Sequence, residues 1–442
     1  MKNYVRLEDE INTSSLHAPS PLILEHYKSV PEINEINNRG ERICRPLFSH
    51  SELFSREHIN NGYCPSVEIQ HTDKFDFQNK FIYSVFTHHN QKLWTKHLNL
   101  LPKKILDGVR NNKGVLVFDN SLEGNRIDGE WFIEPFYKSI TELNLPPESI
   151  FFITNNLFAE SDHNSWFRAQ KQYNKKINLI SFMYDVSNVK NLIIRKNLPS
   201  KVNIDDEIKY KSKRKDNIKH FLKINRTNRP ERNLFMLFMN YHKLLDKSLI
   251  SFPKLPDELY PKEFEKYLTE KNVKDLKSKV PFDIDETDKT NHGTSGKGKN
   301  FFDADLPFQP IHYRNSFVSV IMAAFPFEQY ACHLHASTFN PIYAGQPIIQ
   351  FGPLHSLREM KKRGFKTFDS WWDESYDDES NGWKRFQKVM DITLKLSKLS
   401  YQEMLKMYID MKDVLQHNVN VITNYNTKQV IYNKIFNKLG QL

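Results

Sequence analysis

Short apolar runs alternate along this chain with stretches that are apolar at every third or fourth position, the pattern of strands that feed amphipathic helices. The spacing predicts strands over Phe81–Phe86, Gly114–Phe118, Ile150–Thr154 and Ile177–Phe182, with a helix near Glu134–Leu143. A second series begins with a strand at Phe221–Ile224, followed by helical spacing over Asn233–Leu245 and Asp257–Leu276. Further on, Ile348–Phe351 reads as a strand, Leu354–Arg363 as a short helix stopped by Gly364, and Phe365–Phe368 as another short strand. From Trp383 onward the pattern is helical, and Ser400 to Glu403 has the spacing of a capping box.

Strands alternating with helices predict an α/β protein with doubly wound parallel sheets. At 442 residues the chain exceeds what one core supports. Two Rossmann-like domains facing across a cleft are expected, with ligands at the carboxyl ends of the strands. The expected divisions are an N-terminal arm over 1–45, a first domain over 46–210, a second over 211–385 and C-terminal helices over 386–442. The arm is polar and weakly periodic, so it reads as wrapped on the surface or partly disordered.

No apolar stretch reaches the roughly 20 residues a membrane span needs, and MKNYVRLEDE is no signal peptide, so a cytoplasmic protein is expected. Cys44, Cys64 and Cys332 are widely spread, which supports neither a disulfide framework nor a structural zinc site. Net charge is +10, and residues 195–232 hold thirteen Lys or Arg against five Asp or Glu, so the excess is local. That run reads as a basic linker, or as a surface for nucleic acid.

Two places suggest anion binding. After Ile348–Phe351, Gly352-Pro353 breaks the strand, and a helix starting there leaves N–H groups at Leu354, His355 and Ser356. In Lys223-Ile224-Asn225-Arg226-Thr227-Asn228-Arg229-Pro230-Glu231-Arg232, arginines crowd a strand-to-helix turn, where guanidinium forks suit phosphate oxygens. In the first half, Asp119 and Glu123 follow a strand end, where a carboxylate can deprotonate a hydroxyl or simply hold the turn. His88-His89 is a second base candidate. The triplets Asp283-Ile284-Asp285 and Asp303-Ala304-Asp305 are short and flank a Gly-rich loop, so no metal site is assigned. Trp371-Trp372 can stack a ring or pack a core.

The arginine turn, Thr338-Phe339-Asn340-Pro341-Ile342, Gln346-Pro347, and Gly364-Phe365-Lys366-Thr367-Phe368 through Trp371-Trp372-Asp373-Glu374-Ser375-Tyr376-Asp377 together resemble virus- and microbe-encoded glycosyltransferases of the GT-B type. The resemblance covers about 215–430. It implies a nucleotide-sugar donor as co-substrate, with no other cofactor and no metal, bound by Asn225, Arg226, Arg229, Arg232, His335, Thr338, Gly352, His355 and Ser356. It also implies that the first domain takes a glycan or other hydroxyl acceptor, with Asp119 or Glu123 as base. The chain departs from that pattern at Ala336-Ser337, where the family carries a glutamate and a lysine. A catalytically inactive relative that binds nucleotide-sugar or glycan is one alternative, and a nucleic-acid-binding or modifying protein is another.

Overall fold

The computed structural model describes residues 4–8, 67–71, 75–86, 98–252, 255, 261–282, 284 and 310–441, apart from breaks within 122–125 and 187–200 and at 226–228, 324 and 426. The chain forms two compact units. The first holds Met1–Tyr184, Tyr330–His333 and Asn426–Leu442, and the second Asp185–Gln329 and Leu334–Tyr425.

The first unit is built on six parallel strands, β1 (Tyr4–Glu8), β2 (Val67–His71), β3 (Phe81–Phe86), β4 (Gly114–Asn120), β5 (Ile150–Thr154) and β6 (Asn178–Ser181), in the order β2-β1-β3-β4-β5-β6. Alternate residues of β3, β4 and β5, among them Phe81, Tyr83, Phe118 and Phe152, join Ile105 and Val109 of helix Lys103–Arg110 and Phe136 and Tyr137 of helix Glu134–Glu142 in one core. The intervening residues Val115, Val117 and Ile153 are also fully buried, so both faces of the sheet are covered. That continuous burial is the mark of a parallel sheet. The last helix, Thr427–Gln441, packs against β4 and buries Ile431, Tyr432 and Ile435.

The second unit has four parallel strands, β7 (Lys219–Ile224), β8 (Ser248–Ser251), β9 (Ser316–Met322) and β10 (Ile348–Phe351), ordered β10-β9-β7-β8. Helices Pro230–Tyr241 and Gly382–Leu396 cover one face, where Phe351 and Phe386 lie 5.0 Å apart and Phe235 and Phe386 6.4 Å apart. On the other face Phe317 of β9 meets Tyr401 at 5.5 Å and Tyr408 at 6.2 Å, both from helix Tyr401–Asp410. Gly345, at φ 71°, makes the turn into β10 that a residue with a Cβ would strain.

The α/β class with parallel sheets is the one read from the sequence. Four readings change. Tyr4–Glu8 is not part of a surface arm but an interior strand paired on both sides. Residues Ser316–Met322 form the unpredicted strand β9. The basic run is no simple linker, since Ile204–Ser212 is a helix whose Lys211 lies buried with Nζ on the carbonyls of Tyr313, Arg314 and Ser316 at 3.2, 2.8 and 2.5 Å. Finally, Phe365–Phe368 is not a strand. Among the described residues no strand pairs with its backbone: Asn418 bonds both N–H and C=O of Lys366 at 2.8 Å, Glu374 accepts from Phe368 N at 2.9 Å, and Phe365 N–H donates to Met360 O of the preceding helix at 3.1 Å.

Candidate anion site at the carboxyl end of the second sheet

Strand β7 ends at Ile224, and helix Pro230–Tyr241 starts six residues later with Pro230 at its first position. Proline fits there because that N–H has no helical partner, and it holds Arg229 extended, at φ −148° and ψ 150°. Three cations gather on this turn. Lys223 is fully buried within β7, its Nζ 5.6 Å from the centre of the Phe235 ring and without a hydrogen-bond partner among the described residues. Arg229 places its guanidinium 5.1 Å from the Phe325 ring centre. Arg232, with 12% of its side chain exposed, donates from Nη2 to the carbonyl of Met322 at the end of β9, at 3.1 Å.

Among the described residues Glu231, 4% exposed, lies beside these cations, 4.0 Å from Arg232 Nε. Burial pulls the Lys223 ammonium well below its usual range, and the Arg232 charge adds to that. Arg232 is itself lowered to about 10 by burial and by Arg229. Burial raises Glu231, against the pull of Arg232, Arg229 and Lys223. Beside them Asn225 is 1% exposed, with its backbone N–H on Ser251 O at 2.8 Å and both carboxamide atoms without a partner among the described residues. A buried amide normally bonds on both atoms, so among the described residues this pair stands open beside cationic side chains, a setting suited to a polar, anionic guest. Arg226, the other arginine of the turn, lies outside the described residues.

The second expected anion site is occupied by the chain itself. Leu354 N–H donates to Glu328 O at 3.1 Å, His355 N–H to Asp377 O at 2.9 Å and Ser356 N–H to Pro353 O at 3.1 Å. The carboxylate of Asp377 then takes Leu357 N at 3.0 Å, Arg358 N at 2.9 Å and Ser356 Oγ at 3.1 Å. The three amides expected to be free for a phosphate are thus taken by backbone carbonyls, and the next two, of Leu357 and Arg358, are capped by the final residue of the Trp371–Asp377 motif. His355 takes the left-handed conformation, φ 64°, and faces Asp378 Oδ1 from Nδ1 at 2.9 Å. Gly352 has no room for a side chain, because a Cβ would lie 2.7 Å from Ser356 Oγ and 2.9 Å from Gln350 Nε2.

His335 precedes helix Ala336–Tyr343 as its N-cap without a capping side-chain bond, and Ala336 and Ser337 are half-buried. Thr338 is fully buried, its Oγ1 without a partner among the described residues. In the first unit Asp119 is fully buried near the end of β4 and accepts from Ser121 N at 3.0 Å. Glu123, His88, His89 and the aspartates of both acidic triplets fall outside the described residues. The structure therefore brings Asn225, Arg229 and Arg232 together with two residues the sequence did not single out, Lys223 and Phe325. The signal for Lys223 was present as a lysine in a strand-like run, but burial cannot be read from one residue.

No protein-family model and no curated protein matches the chain. Among solved structures it is similar to a trehalose-6-phosphate synthase studied with bisubstrate glycomimetics, at TM-score 0.38 and 11% identity over 83% of this chain and 74% of that one. A UDP-forming trehalose-phosphate synthase from Burkholderia xenovorans matches at TM-score 0.34 and 10% identity, over 79% and 83% of the two chains. A DNA-modifying β-glucosyltransferase determined with and without uridine diphosphoglucose matches at TM-score 0.37 and 11% identity, over 100% of both. At these values neither site residues nor activity transfers to this chain.

Proposed function

We propose that this protein is a glycosyltransferase that moves a sugar from a nucleotide diphosphate donor to a hydroxyl acceptor. The observation that carries the reading is the gathering of Lys223, Arg229 and Arg232 beside the buried carboxamide of Asn225, whose two polar atoms have no partner among the described residues. In glycosyl transfer an acceptor oxygen attacks the anomeric carbon, the bond from that carbon to the donor phosphate breaks, and negative charge develops on the departing diphosphate. Guanidinium groups already fixed in place stabilise that charge without reorganising. Arg232 is fixed in this way by the Met322 carbonyl. The proposal gives Arg229, Arg232 and Asn225 the diphosphate, adds Arg226 from the same turn, and leaves His335 and Thr338 to the rest of the donor, while Gly352, His355 and Ser356 drop out because the chain itself fills the site they form. On the acceptor side it retains Asp119 as the base that takes the hydroxyl proton, with Glu123 as its alternative.

Because the leaving group meets cationic side chains, the reading has transfer proceeding without a metal ion. The test is turnover of a panel of UDP-, GDP- and ADP-sugars, with water or simple glycosides as acceptor, in the presence and absence of EDTA. Release of nucleoside diphosphate that persists in EDTA is the expected outcome. Activity lost to EDTA and restored by Mg²⁺ or Mn²⁺ overturns the mechanism, and no release with any donor favours a binding protein over an enzyme.

A further inference from the structure

We propose that Phe325 is a stacking platform for the ring that a diphosphate ligand carries, and that it thereby sets which donors the site accepts; this rests on the donor reading above. Six large apolar side chains stand exposed among the described residues, and two of the second unit's, Phe325 at 50% and Phe327 at 37%, lie just past the end of β9. The segment that carries them is held firmly. Arg385, 1% exposed, donates to Pro326 O at 2.6 Å and also to Glu379 O. Leu354 N–H bonds Glu328 O, and Glu328 N–H closes a turn on Phe325 O, each at 3.1 Å. The Phe327 ring is anchored 4.5 Å from Trp383 and 5.4 Å from Phe351.

A backbone pinned at this many points holds Phe325 half in water by construction, at the cost of leaving an apolar ring unburied. What the ring meets is a cation of the anion site, since the Arg229 guanidinium stacks 5.1 Å from its centre. The same strand end supplies Met322, whose carbonyl holds Arg232. The ring and both guanidinium groups are therefore organised by one strand terminus. A ligand whose phosphates sit on Arg229 and Arg232 brings the ring attached to those phosphates, a nucleobase or a sugar with its apolar C–H face, within reach of Phe325. Inorganic phosphates bring none.

The experiment is calorimetric titration of wild type, Phe325→Ala and Phe325→Trp with pyrophosphate, with UDP, GDP and ADP, and with their glucose conjugates. The expected result is a loss of tenfold or more in Phe325→Ala for the ring-bearing ligand that wild type binds best, retention in Phe325→Trp, and pyrophosphate affinity unchanged in all three. If the plain nucleotides lose affinity as much as the conjugates, the stacked ring is the base; if only the conjugates do, it is the sugar. Equal losses for pyrophosphate and the ring-bearing ligands overturn the platform, because the ring would then only position Arg229. So does an unchanged Phe325→Ala. A wild type that binds neither pyrophosphate nor any nucleotide overturns the donor reading, and the platform with it.

Discussion

Lys223 is the residue whose placement is hardest to explain by stability alone. A fully buried ammonium with no hydrogen-bond partner among the described residues costs folding free energy, and the nearby Arg232 charge adds to the cost. Replacing it with methionine keeps the stem over Phe235 and removes the charge. Lys223→Met is therefore expected to raise the denaturation midpoint, by about 1 kcal/mol or more in free energy, while weakening nucleotide binding. Urea melts and calorimetry on one preparation check both halves. A variant that is less stable yet binds normally would show that the ammonium has a structural partner and no ligand role. At Ala336 the expectation is the reverse of the usual loss. The methyl group cannot accept a hydrogen bond, so Ala336→Glu should tighten binding of a nucleotide-sugar by roughly 1.5 to 3 kcal/mol if a carboxylate at this position reaches donor hydroxyls. Tight binding by wild type together with weakening in the variant would overturn that placement.

At the scale of elements, what holds the short helix after β10 is a carboxylate from twenty residues away. Asp377→Asn leaves the shape but donates where it must accept, so it should destabilise the protein by about 1 to 3 kcal/mol. Thermal melting checks this, and a Tm equal to wild type would mean the cap is not made in solution. In the first unit, helices Glu134–Glu142 and Ala159–Ala169 are joined by Tyr137 Oη and His163 Nε2 at 3.0 Å, with Ile177 N–H donating to the same hydroxyl at 2.9 Å. Burial, with a smaller push from Lys176, lowers His163 to about 4. The unfolded chain binds that proton near pH 6.5, so between 6.5 and 4 it holds more protons than the folded one. Stability should thus be full above about pH 6.5 and fall by up to about 3 kcal/mol as pH drops toward 4. His163→Gln should flatten that part of the profile, and a profile identical to wild type would rule out His163 as its source.

These elements also show how far the sequence could be read. Strands β3, β4, β5 and β10 stood out because residues buried on both faces give unbroken apolar runs between turn residues. Strand β9 did not, although it is as buried, because its serines interrupt the run: Ser316 is satisfied by His312 O at 2.9 Å and Ser319 by Gln346 Oε1 at 2.5 Å. Phe365–Phe368 failed the other way. It is apolar enough for a strand, but its neighbours in space offer side chains rather than a strand edge. The arginine turn was legible from strand, proline and helix signals. The filling of the other anion site was not, since no spacing rule links Asp377 to a helix start at Ser356.

For the whole molecule, a net charge of +10 suits nucleic acid, a membrane surface or an anionic small substrate. The fold divides the basic run between these. Lys211, Lys223 and Arg232 are drawn inward, while Lys213, Arg214 and Lys215 stay exposed. Lys211 closes the amino end of β9 at Ser316, whereas Lys223 and Arg232 sit where the parallel sheet presents its carboxyl ends, the usual place for a ligand in this class. The central claim is that this end of the second sheet binds a diphosphate. It is tested most directly by calorimetric titration of wild type and Arg232→Ala with UDP, GDP and ADP at fixed ionic strength. The account predicts saturable one-to-one binding of at least one of them by wild type, weakened by roughly 1.5 to 3 kcal/mol in Arg232→Ala. Equal affinity in the two proteins, or no nucleotide binding beside steeply salt-dependent binding of DNA or RNA, would contradict it.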